Sequence, residues 1–299
     1  MASNSVNNNH AFDPAAVEGS DNFVSREFPM TRADFKKISS MSYAMSGIVL
    51  SDAKQEMAYS RIARRVRALK LKNFEEYLRL LHKPSPGSIG TEETEHFLNA
   101  ITTNLTSFFR EGHHFEFLSD IAIPDLLKIH KNDRRIRVWC CAASTGEEPY
   151  SIAMAFRESV PNIESWDIKI LATDIDSDVV AKAAAGLYRK SSLDDMSPTR
   201  LKRWFTETES GYQVDPKLRS LLTFKTLNLL HDWPMSGPFD VIFCRNVIIY
   251  FDKHTQRKLF QRMDTLMPSG RYLFIGHSES LLQVSKHFTS RGGTVYQRN

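Results

Sequence analysis

The chain has 299 residues, of which 41% are hydrophobic and 25% are charged, and its formal net charge at pH 7 is +4. This is the balance of an ordinary globular protein, with enough residues for one large domain or two ordinary ones. The small net charge argues against a general nucleic-acid-binding protein, and no apolar run approaches the ~20 residues that a membrane-spanning helix needs. Because the start also lacks a basic-then-apolar secretory pattern, the sequence predicts a soluble cytoplasmic protein that does not insert into a membrane.

The N-terminal third divides into a leader and a helical unit. Residues 1–28 are rich in asparagine, serine and small residues without periodicity, which predicts a disordered leader. Residues 29–98 carry apolar positions at helical spacing and predict an all-helical domain. Within it, a helix over residues 54–72 places four arginines outside its apolar stripe: Arg61, Arg64, Arg65 and Arg67. Such a face suits an acidic protein surface or a nucleic-acid backbone, and a merely solvated face is the alternative.

The junction after this domain is unusually polar. Residues 100–115 combine hydroxyl and amide side chains with an arginine beside two phenylalanines. Asn104, Thr106 and Arg110 therefore either line a cleft or find buried partners in a purely structural helix, and both interpretations stay open. His113 and His114 are adjacent and are expected to point in different directions on a helix, so we predict no metal site there.

Residues 135–156 are typical of a strand, a tight loop at Gly146 and a helix with Pro149 in its first turn. A nucleotide-type site in a doubly wound sheet begins in this way. The loop has one glycine and two acids, Glu147 and Glu148, which would repel a pyrophosphate but attract hydroxyls and an ammonium group. These residues favour S-adenosylmethionine over NAD, unless the two acids only complement the helix dipole.

Polar residues follow several of the later predicted strands. The second strand ends at Asp174, where nucleotide folds place the acid that binds ribose hydroxyls. Another strand end carries Asn228, and a buried strand opens into Arg245 and Asn246. This repetition predicts a cofactor crevice at the carboxyl edge of the sheet, while residues 188–224 break the strand–helix rhythm and predict a small inserted β-subdomain.

The positions of the cysteines predict neither a metal-binding nor a redox role. Cys140, Cys141 and Cys244 all lie in predicted buried strands, and none has the spacing of a zinc or redox motif. We therefore expect small core residues and no metal.

Four motifs stand in order along the chain: Thr-Asn-Leu-Thr-Ser-Phe-Phe-Arg-Glu at 103–111, Ala-Ala-Ser-Thr-Gly-Glu-Glu-Pro-Tyr-Ser at 142–151, Thr-Asp-Ile-Asp at 173–176, and Phe-Cys-Arg-Asn-Val-Ile-Ile-Tyr-Phe-Asp at 243–252. With them the chain resembles the CheR family, the chemotaxis receptor glutamate O-methyltransferases, over nearly all of residues 31–296. The resemblance implies an α/β fold. A Rossmann-like S-adenosylmethionine-dependent methyltransferase domain at 99–299, with an inserted antiparallel β-subdomain, would follow the all-α domain.

The resemblance also implies roles for individual residues. The implied cofactor-binding residues are Asn104, Thr106, Arg110, Glu148, Asp174, Asn228, Leu229, Arg245 and Asn246. Arg110 and Tyr250 are the implied catalytic residues and would orient the reacting carboxylate. The arginine-bearing helix would face the methylation helices of the receptor. One departure is the short turn at 206–212, with a single glycine, which argues against a tether to a receptor's C-terminal pentapeptide.

The implied reaction moves a methyl group from S-adenosylmethionine to a receptor glutamate for sensory adaptation, and it leaves a glutamyl methyl ester and S-adenosylhomocysteine. A glutamate is already ionised at neutral pH, so this transfer needs no general base. The competing interpretations are a methyltransferase that acts on another protein or on nucleic acid, and a non-catalytic protein that binds S-adenosylmethionine for regulation. The modest charge disfavours nucleic acid, and the presence of Arg110 and Tyr250 disfavours a non-catalytic role.

Overall fold

The computed structural model describes residues 26–82 and 89–299, so most of the predicted leader lies outside the described residues. The described chain begins with four helices: α1 (Arg32–Ser46), α2 (Gln55–Ala68), α3 (Phe74–Leu81) and α4 (Ile89–Ile101). A capping box between Thr31 and Asp34 starts α1, and the helix ends at Gly47, whose φ of 71° is one that glycine adopts without strain. The last of these helices continues past the expected domain boundary at residue 98.

The rest of the chain alternates helices and strands. The helices are α5 (His113–Phe117), α6 (Ile123–Ile129), α7 (Glu147–Ser159), α8 (Ser177–Ala185), α9 (Pro198–Trp204), α10 (Pro216–Arg219) and α11 (Lys253–Thr265). The strands are β1 (Arg135–Cys140), β2 (Asp167–Asp174), β3 (Leu187–Tyr188), β4 (Phe205–Thr208), β5 (Gly211–Val214), β6 (Leu222–Thr226), β7 (Val241–Cys244), β8 (Tyr272–Ile275), β9 (Phe288–Gly292) and β10 (Val295–Arg298).

Seven strands form the main sheet, in the order β6-β2-β1-β7-β8-β10-β9. The pairs from β6 to β8 are parallel, and β10 runs antiparallel to both of its neighbours. From β1 the chain moves outward to β2 and β6, and it then returns to β7 on the other side of β1. The strand order therefore reverses between β1 and β7, which is where ligands bind in open α/β sheets. The fold is the expected Rossmann-like one.

A second, antiparallel sheet contains β3, β5 and β4. The expected β-subdomain is corrected at its C-terminal end, because residues 222–226 form β6 at the edge of the main sheet, parallel to β2. Packing explains the difference: the Phe224 ring lies 5.6 Å from the ring of Tyr150 on α7. The aromatic side chain is therefore used by the main core rather than by the small sheet.

Side chains of β1 alternate between two cores, as the twofold repeat of a strand requires. Ile136 and Val138 pack with α5, α6, α7 and the small sheet, whereas Trp139 and, directly after the strand, Cys141 pack with the N-terminal helices and α11. The helical domain thus shares a continuous core with one face of the sheet. The three cysteines are buried and free, and burial raises the pKa of the Cys140 thiol. Within the described residues, no helix is long and apolar enough to cross a membrane.

Candidate functional site

A cavity of about 910 Å³, its open mouth included, lies at the carboxyl ends of β1, β2 and β7. Its size is that of pockets which bind cofactors. The helical domain contributes Ser46 and Ile48 to its wall, which the sequence did not predict. Ten residues predicted from the sequence also line it: Asn104, Thr106, Arg110, Glu148, Asp174, Asn228, Leu229, Arg245, Asn246 and Tyr250. The fold therefore gathers every predicted cofactor and catalytic residue around one space, while their individual roles stay predictions.

The segment between the two domains is held against the sheet by Asp176. One carboxylate oxygen accepts hydrogen bonds from Thr102 Oγ1 at 2.9 Å and from Asn104 Nδ2 at 2.7 Å. The other oxygen accepts backbone N–H groups at the start of α8. Ser144 Oγ adds a bond to the backbone oxygen of Asn104 at 3.0 Å. Of the two interpretations left open for this polar segment, its position on the wall of the cavity favours the cleft.

Asp174 ends β2 and is only 7% exposed. Its Oδ2 accepts the N–H of Ser144 at 2.8 Å, and its Oδ1 accepts the N–H of Asp176 at 3.0 Å. Burial raises the pKa of Asp174 to about 6, although these backbone bonds favour the ionised form. Each carboxylate oxygen has a further lone pair, so the group can still accept the hydroxyls of a ribose.

The acids of the loop before α7 have different environments. Glu147 does not line the cavity, and its Oε2 accepts a bond from Thr145 Oγ1 at 2.6 Å. Burial raises the pKa of Glu147. Glu148 lines the cavity, but its Oε2 accepts a hydrogen bond from Arg245 Nη1 at 2.5 Å. Of the two acids expected to attract a positively charged group of the cofactor, only Glu148 is placed to do so. The charge of Arg245 partly offsets that of Glu148.

Arg245 connects two acids. Its side chain is 1% exposed, and Nη2 lies 3.2 Å from Glu111 Oε2 while it donates to the backbone oxygen of Arg110 at 2.7 Å. Burial raises the pKa of Glu111, but a hydrogen bond from His277 and the charge of Arg245 outweigh it and bring the pKa to about 2. One buried guanidinium therefore holds the carboxylate of Glu148, which lines the cavity, together with that of Glu111.

The expected divergence of the adjacent histidines is wrong. His113 Nε2 and His114 Nε2 lie 3.0 Å and 2.8 Å from the same backbone oxygen, that of Gly293, and their ring centroids are 4.3 Å apart. At the first turn of α5 both rings reach this carbonyl. Together with Glu111 they form a group that could hold a metal ion. Burial lowers the pKa of His114 to about 4, so this imidazole is neutral at pH 7. The absence of a metal stays a prediction.

Glu279 is a residue that the sequence analysis missed. It is 5% exposed, and its two oxygens accept four backbone N–H groups, from Asn246, Ile248, Ile249 and Gly276, at 2.6–3.3 Å. Three of these groups belong to the turn between β7 and Tyr250. One carboxylate therefore fixes the loop that carries three predicted site residues, Arg245, Asn246 and Tyr250, and no local pattern in the sequence connects positions so far apart.

The prediction that four arginines of α2 form one docking face needs correction. Arg61 donates to backbone carbonyls at the end of α4, and Arg65 forms two hydrogen bonds with Glu93, at 2.8 Å and 2.6 Å. These two guanidiniums join α2 to the end of α4, and Arg65 is also the cationic partner that a buried Glu93 needs. Arg67 pairs with Glu27 on the surface, and Arg64 is exposed. Of the four predicted arginines, Arg64 and the Glu27-paired Arg67 are therefore the two on the surface, and their docking role stays a prediction.

Comparison with known proteins gives the same family for both parts of the chain. A family model described as "CheR methyltransferase, all-alpha domain" matches residues 33–102, and one described as "CheR methyltransferase, SAM binding domain" matches residues 104–297. Among solved structures, magnesium protoporphyrin IX methyltransferase from Synechocystis PCC 6803 with bound SAM is a distant match. Its TM-score is 0.36 at 12% identity, with 84% of this chain and 100% of that chain covered.

Several curated proteins are far more similar. The chain is 45% identical to the "Probable chemotaxis protein methyltransferase" of Rhizobium etli, over 86% of this chain and 96% of that protein. It is 43% identical to "Chemotaxis protein methyltransferase 2" of Pseudomonas aeruginosa, over 92% of this chain and 96% of that protein. The identity to the "Chemotaxis protein methyltransferase" of Klebsiella aerogenes is 42%, over 91% of this chain and 92% of that protein.

Proposed function

The chain belongs to the CheR methyltransferase family, whose members depend on S-adenosylmethionine, and on this premise we propose that it methylates glutamate side chains of chemotaxis receptors. The observation that carries the proposal is the cavity at the switch point, which Arg110 and Tyr250 line together with the predicted cofactor residues. The products are a glutamyl methyl ester and S-adenosylhomocysteine. We propose that the reaction takes place in the cytoplasm, on the methylation helices of the receptor.

The donors and acceptors around the cavity suit S-adenosylmethionine, which supplies an electrophilic methyl group. Asp174 would bind the ribose hydroxyls, for which its carboxylate has free lone pairs. Leu229 is buried and Asn228 is partly buried, and they would border the adenine. Glu148 and Asn246 both line the cavity and would meet the polar end of the cofactor. The ion pair with Arg245 lowers the free-energy cost of keeping the charged Glu148 in the largely buried wall of the cavity.

The protein would promote the transfer by aligning the attacking carboxylate with the methyl group. The attacking carboxylate is already ionised at neutral pH, so Arg110 and Tyr250 only need to orient it and exclude water. The guanidinium of Arg110 is steadied by the backbone oxygen of Leu105 at 2.9 Å, and the Lys54 ammonium lies 4.8 Å from the centroid of the Tyr250 ring. Holding reactants in such an arrangement can contribute roughly 7–11 kcal/mol to a barrier.

Replacing Tyr250 with phenylalanine is expected to lower kcat about tenfold or more and to leave S-adenosylhomocysteine affinity within about twofold. The phenol would act on the reacting carboxylate, and a lost hydrogen bond to a charged group weakens an interaction by about 1.5–3 kcal/mol. Turnover on receptor membranes and calorimetry with S-adenosylhomocysteine separate the two effects. Full turnover in this variant means that the hydroxyl takes no part in transfer.

Glu279→Gln is expected to lower kcat and the thermal midpoint together, because an amide has one acceptor oxygen and leaves two of the four backbone N–H groups without a partner. The loss is about 1–3 kcal/mol for each buried group. Asp240→Asn is the control, since Asp240 is a buried acid that accepts the N–H of Arg137 at the opposite end of the sheet. If both variants lose stability and neither loses kcat, the role of Glu279 is structural only.

The function itself is tested with labelled S-adenosylmethionine and receptor-containing membranes. Base-labile methyl esters on the receptor support the proposal, whereas stable label on other proteins or on nucleic acid supports one of the competing methyltransferases. Binding of the cofactor without any transfer, across all these acceptors, favours a regulatory protein.

We also expect receptor lacking its C-terminal tail to remain a substrate. β4 and β5 are joined by only two residues, Glu209 and Ser210, which offer little backbone for a pentapeptide to pair with. Arg64 and Arg67 would supply attraction for the acidic receptor surface. Abolition of methylation by tail deletion would contradict this expectation and move the main receptor contact to the small sheet.

A further inference from the structure

Large apolar side chains are exposed at the mouth of the cavity. Leu105 lines the cavity and is 82% exposed, more than any other large hydrophobic residue in the described part of the chain. Ile249 is 51% exposed and directly precedes Tyr250, another lining residue. A soluble protein loses free energy by exposing such side chains together, so a group of them beside a site is typical of a contact surface.

Two further exposed residues come from the helical domain and are bonded to the same loop. Val49 is 45% exposed, and its N–H donates to the backbone oxygen of Tyr250 at 3.0 Å. Tyr43 is 46% exposed, and its hydroxyl donates to Asp252 Oδ2 at 2.6 Å. We call Tyr43, Val49, Leu105 and Ile249 the apolar rim. Both domains therefore contribute to it, around the loop that carries Ile249 and Tyr250.

Cations accompany the apolar rim. Arg110 lines the cavity next to Leu105, whose backbone oxygen it binds. Lys54 lies over the ring of Tyr250 from the start of α2. Glu148 lines the cavity and Glu111 follows Arg110 in the chain, and both carboxylates are paired with Arg245. An approaching segment thus meets apolar side chains and positive charge, which complement an acidic amphipathic partner.

We propose that the apolar rim is the surface that reads the substrate: it binds a receptor helix whose target glutamate has apolar side chains one helical turn before and after it. Residues three or four apart lie side by side on a helix, about 5–6 Å between their Cβ atoms, so a glutamate that enters the cavity brings these neighbours against Leu105 and Ile249. This inference rests on the proposed function and adds a specificity to it. The apolar rim selects the sequence around the glutamate, whereas Arg64 and Arg67 only attract an acidic surface.

The test compares two double variants on receptor membranes. Leu105→Ser with Ile249→Ser is expected to raise the apparent KM for receptor about tenfold, since each buried aliphatic side chain contributes strongly to a contact. kcat at saturating receptor and the Kd for S-adenosylhomocysteine should stay within about twofold. The matched control is Leu282→Ser with Ile129→Ser, because these residues are 78% and 48% exposed and do not line the cavity. The control should keep the wild-type KM.

The other outcomes are distinct. If wild-type enzyme forms receptor methyl esters and the rim variant keeps its KM, the apolar rim is not the reading surface and the proposed function still stands. If wild-type enzyme forms no esters, both proposals fall. A rim variant that loses affinity for S-adenosylhomocysteine, or one that changes the sedimentation of the free enzyme, overturns the inference in favour of a cofactor contact or of self-association. Restoring size with Leu105→Met and Ile249→Val should return KM towards wild type.

Discussion

Arg245→Met is expected to lower the free energy of unfolding by about 3–5 kcal/mol, because it leaves Glu111 and Glu148 buried without their common partner. Affinity for S-adenosylhomocysteine should fall as well, since Glu148 lines the cavity and its carboxylate then lacks its cationic partner. Urea unfolding measures the first effect, and calorimetry on protein that is still folded measures the second.

A triple variant separates the lost ion pairs from lost packing. Arg245→Met with Glu111→Gln and Glu148→Gln removes all three charges, and it should recover much of the stability because a neutral set of similar volume avoids the cost of burying unpaired ions. Arg271→Met is the matched control. Arg271 is 11% exposed and binds Asp240 at 2.8 Å, away from the cavity, so this change should cost stability without weakening cofactor binding. If Arg245→Met is no less stable than wild type, the three charges do not act as a unit.

Glu111 adds a pH dependence to this group. Its pKa of about 2 in the folded protein lies below the ordinary value of 4.5, so the unfolded chain binds the proton more tightly. The stability that Glu111 contributes is therefore complete above pH 4.5 and is lost as the pH falls towards 2. Unfolding measured across that window should show a smaller loss in Glu111→Gln than in the wild-type protein.

The parts of this site that the sequence predicted are those with a local cause. A strand that runs into a glycine loop and a helix must place Gly146 and the acids after it at the edge of a sheet, and Asp174 follows its own strand in the same way. No local feature of the sequence predicts the role of Glu279, since its partners on the turn after β7 lie some thirty residues earlier in the chain.

The errors in the prediction come from tertiary packing. Helical spacing correctly separates the apolar stripe of α2 from its arginines, but it cannot say which polar side then meets another helix. Glu93 on α4 is buried and recruits Arg65, so that arginine is structural. Phe224 similarly belongs to the main core because Tyr150 faces it, although its segment reads as part of the insertion. The residue pattern of one segment does not show which residue of another segment will pack against it in the folded protein.

Asp174 is expected to make cofactor affinity dependent on pH near neutrality. Burial raises its pKa to about 6 in the free protein, and the ionised carboxylate is the form that can accept both ribose hydroxyls. Affinity for S-adenosylhomocysteine should therefore be complete above pH 7 and fall below pH 6, towards a tenfold loss per pH unit. Calorimetry between pH 5 and 8, limited to conditions in which the protein stays folded, measures this profile.

The same pKa has an opposite consequence for stability. Because the folded protein binds this proton more tightly than the unfolded chain does, the contribution of Asp174 to stability falls as the pH rises from 3.8 to about 6. The ionised group at pH 7 thus costs the free protein roughly 3 kcal/mol, at about 1.4 kcal/mol for each pH unit. A carboxylate that lowers the stability of the free protein, at the end of a strand that lines the cavity, is typical of a residue retained for binding.

Asp174→Asn is expected to weaken S-adenosylhomocysteine binding at pH 7.5 about tenfold or more and to abolish the pH dependence, since the amide does not titrate and has one acceptor oxygen in place of two. Its stability at pH 7 should change little, because the removed cost of burying a charge offsets the lost bond from Ser144 or Asp176. Glu147→Gln is the control: burial also raises the pKa of Glu147, but this residue does not line the cavity, so its variant should keep the wild-type profile. If the profile disappears in Glu147→Gln and persists in Asp174→Asn, the titrating group is in the loop and Asp174 does not bind the ribose.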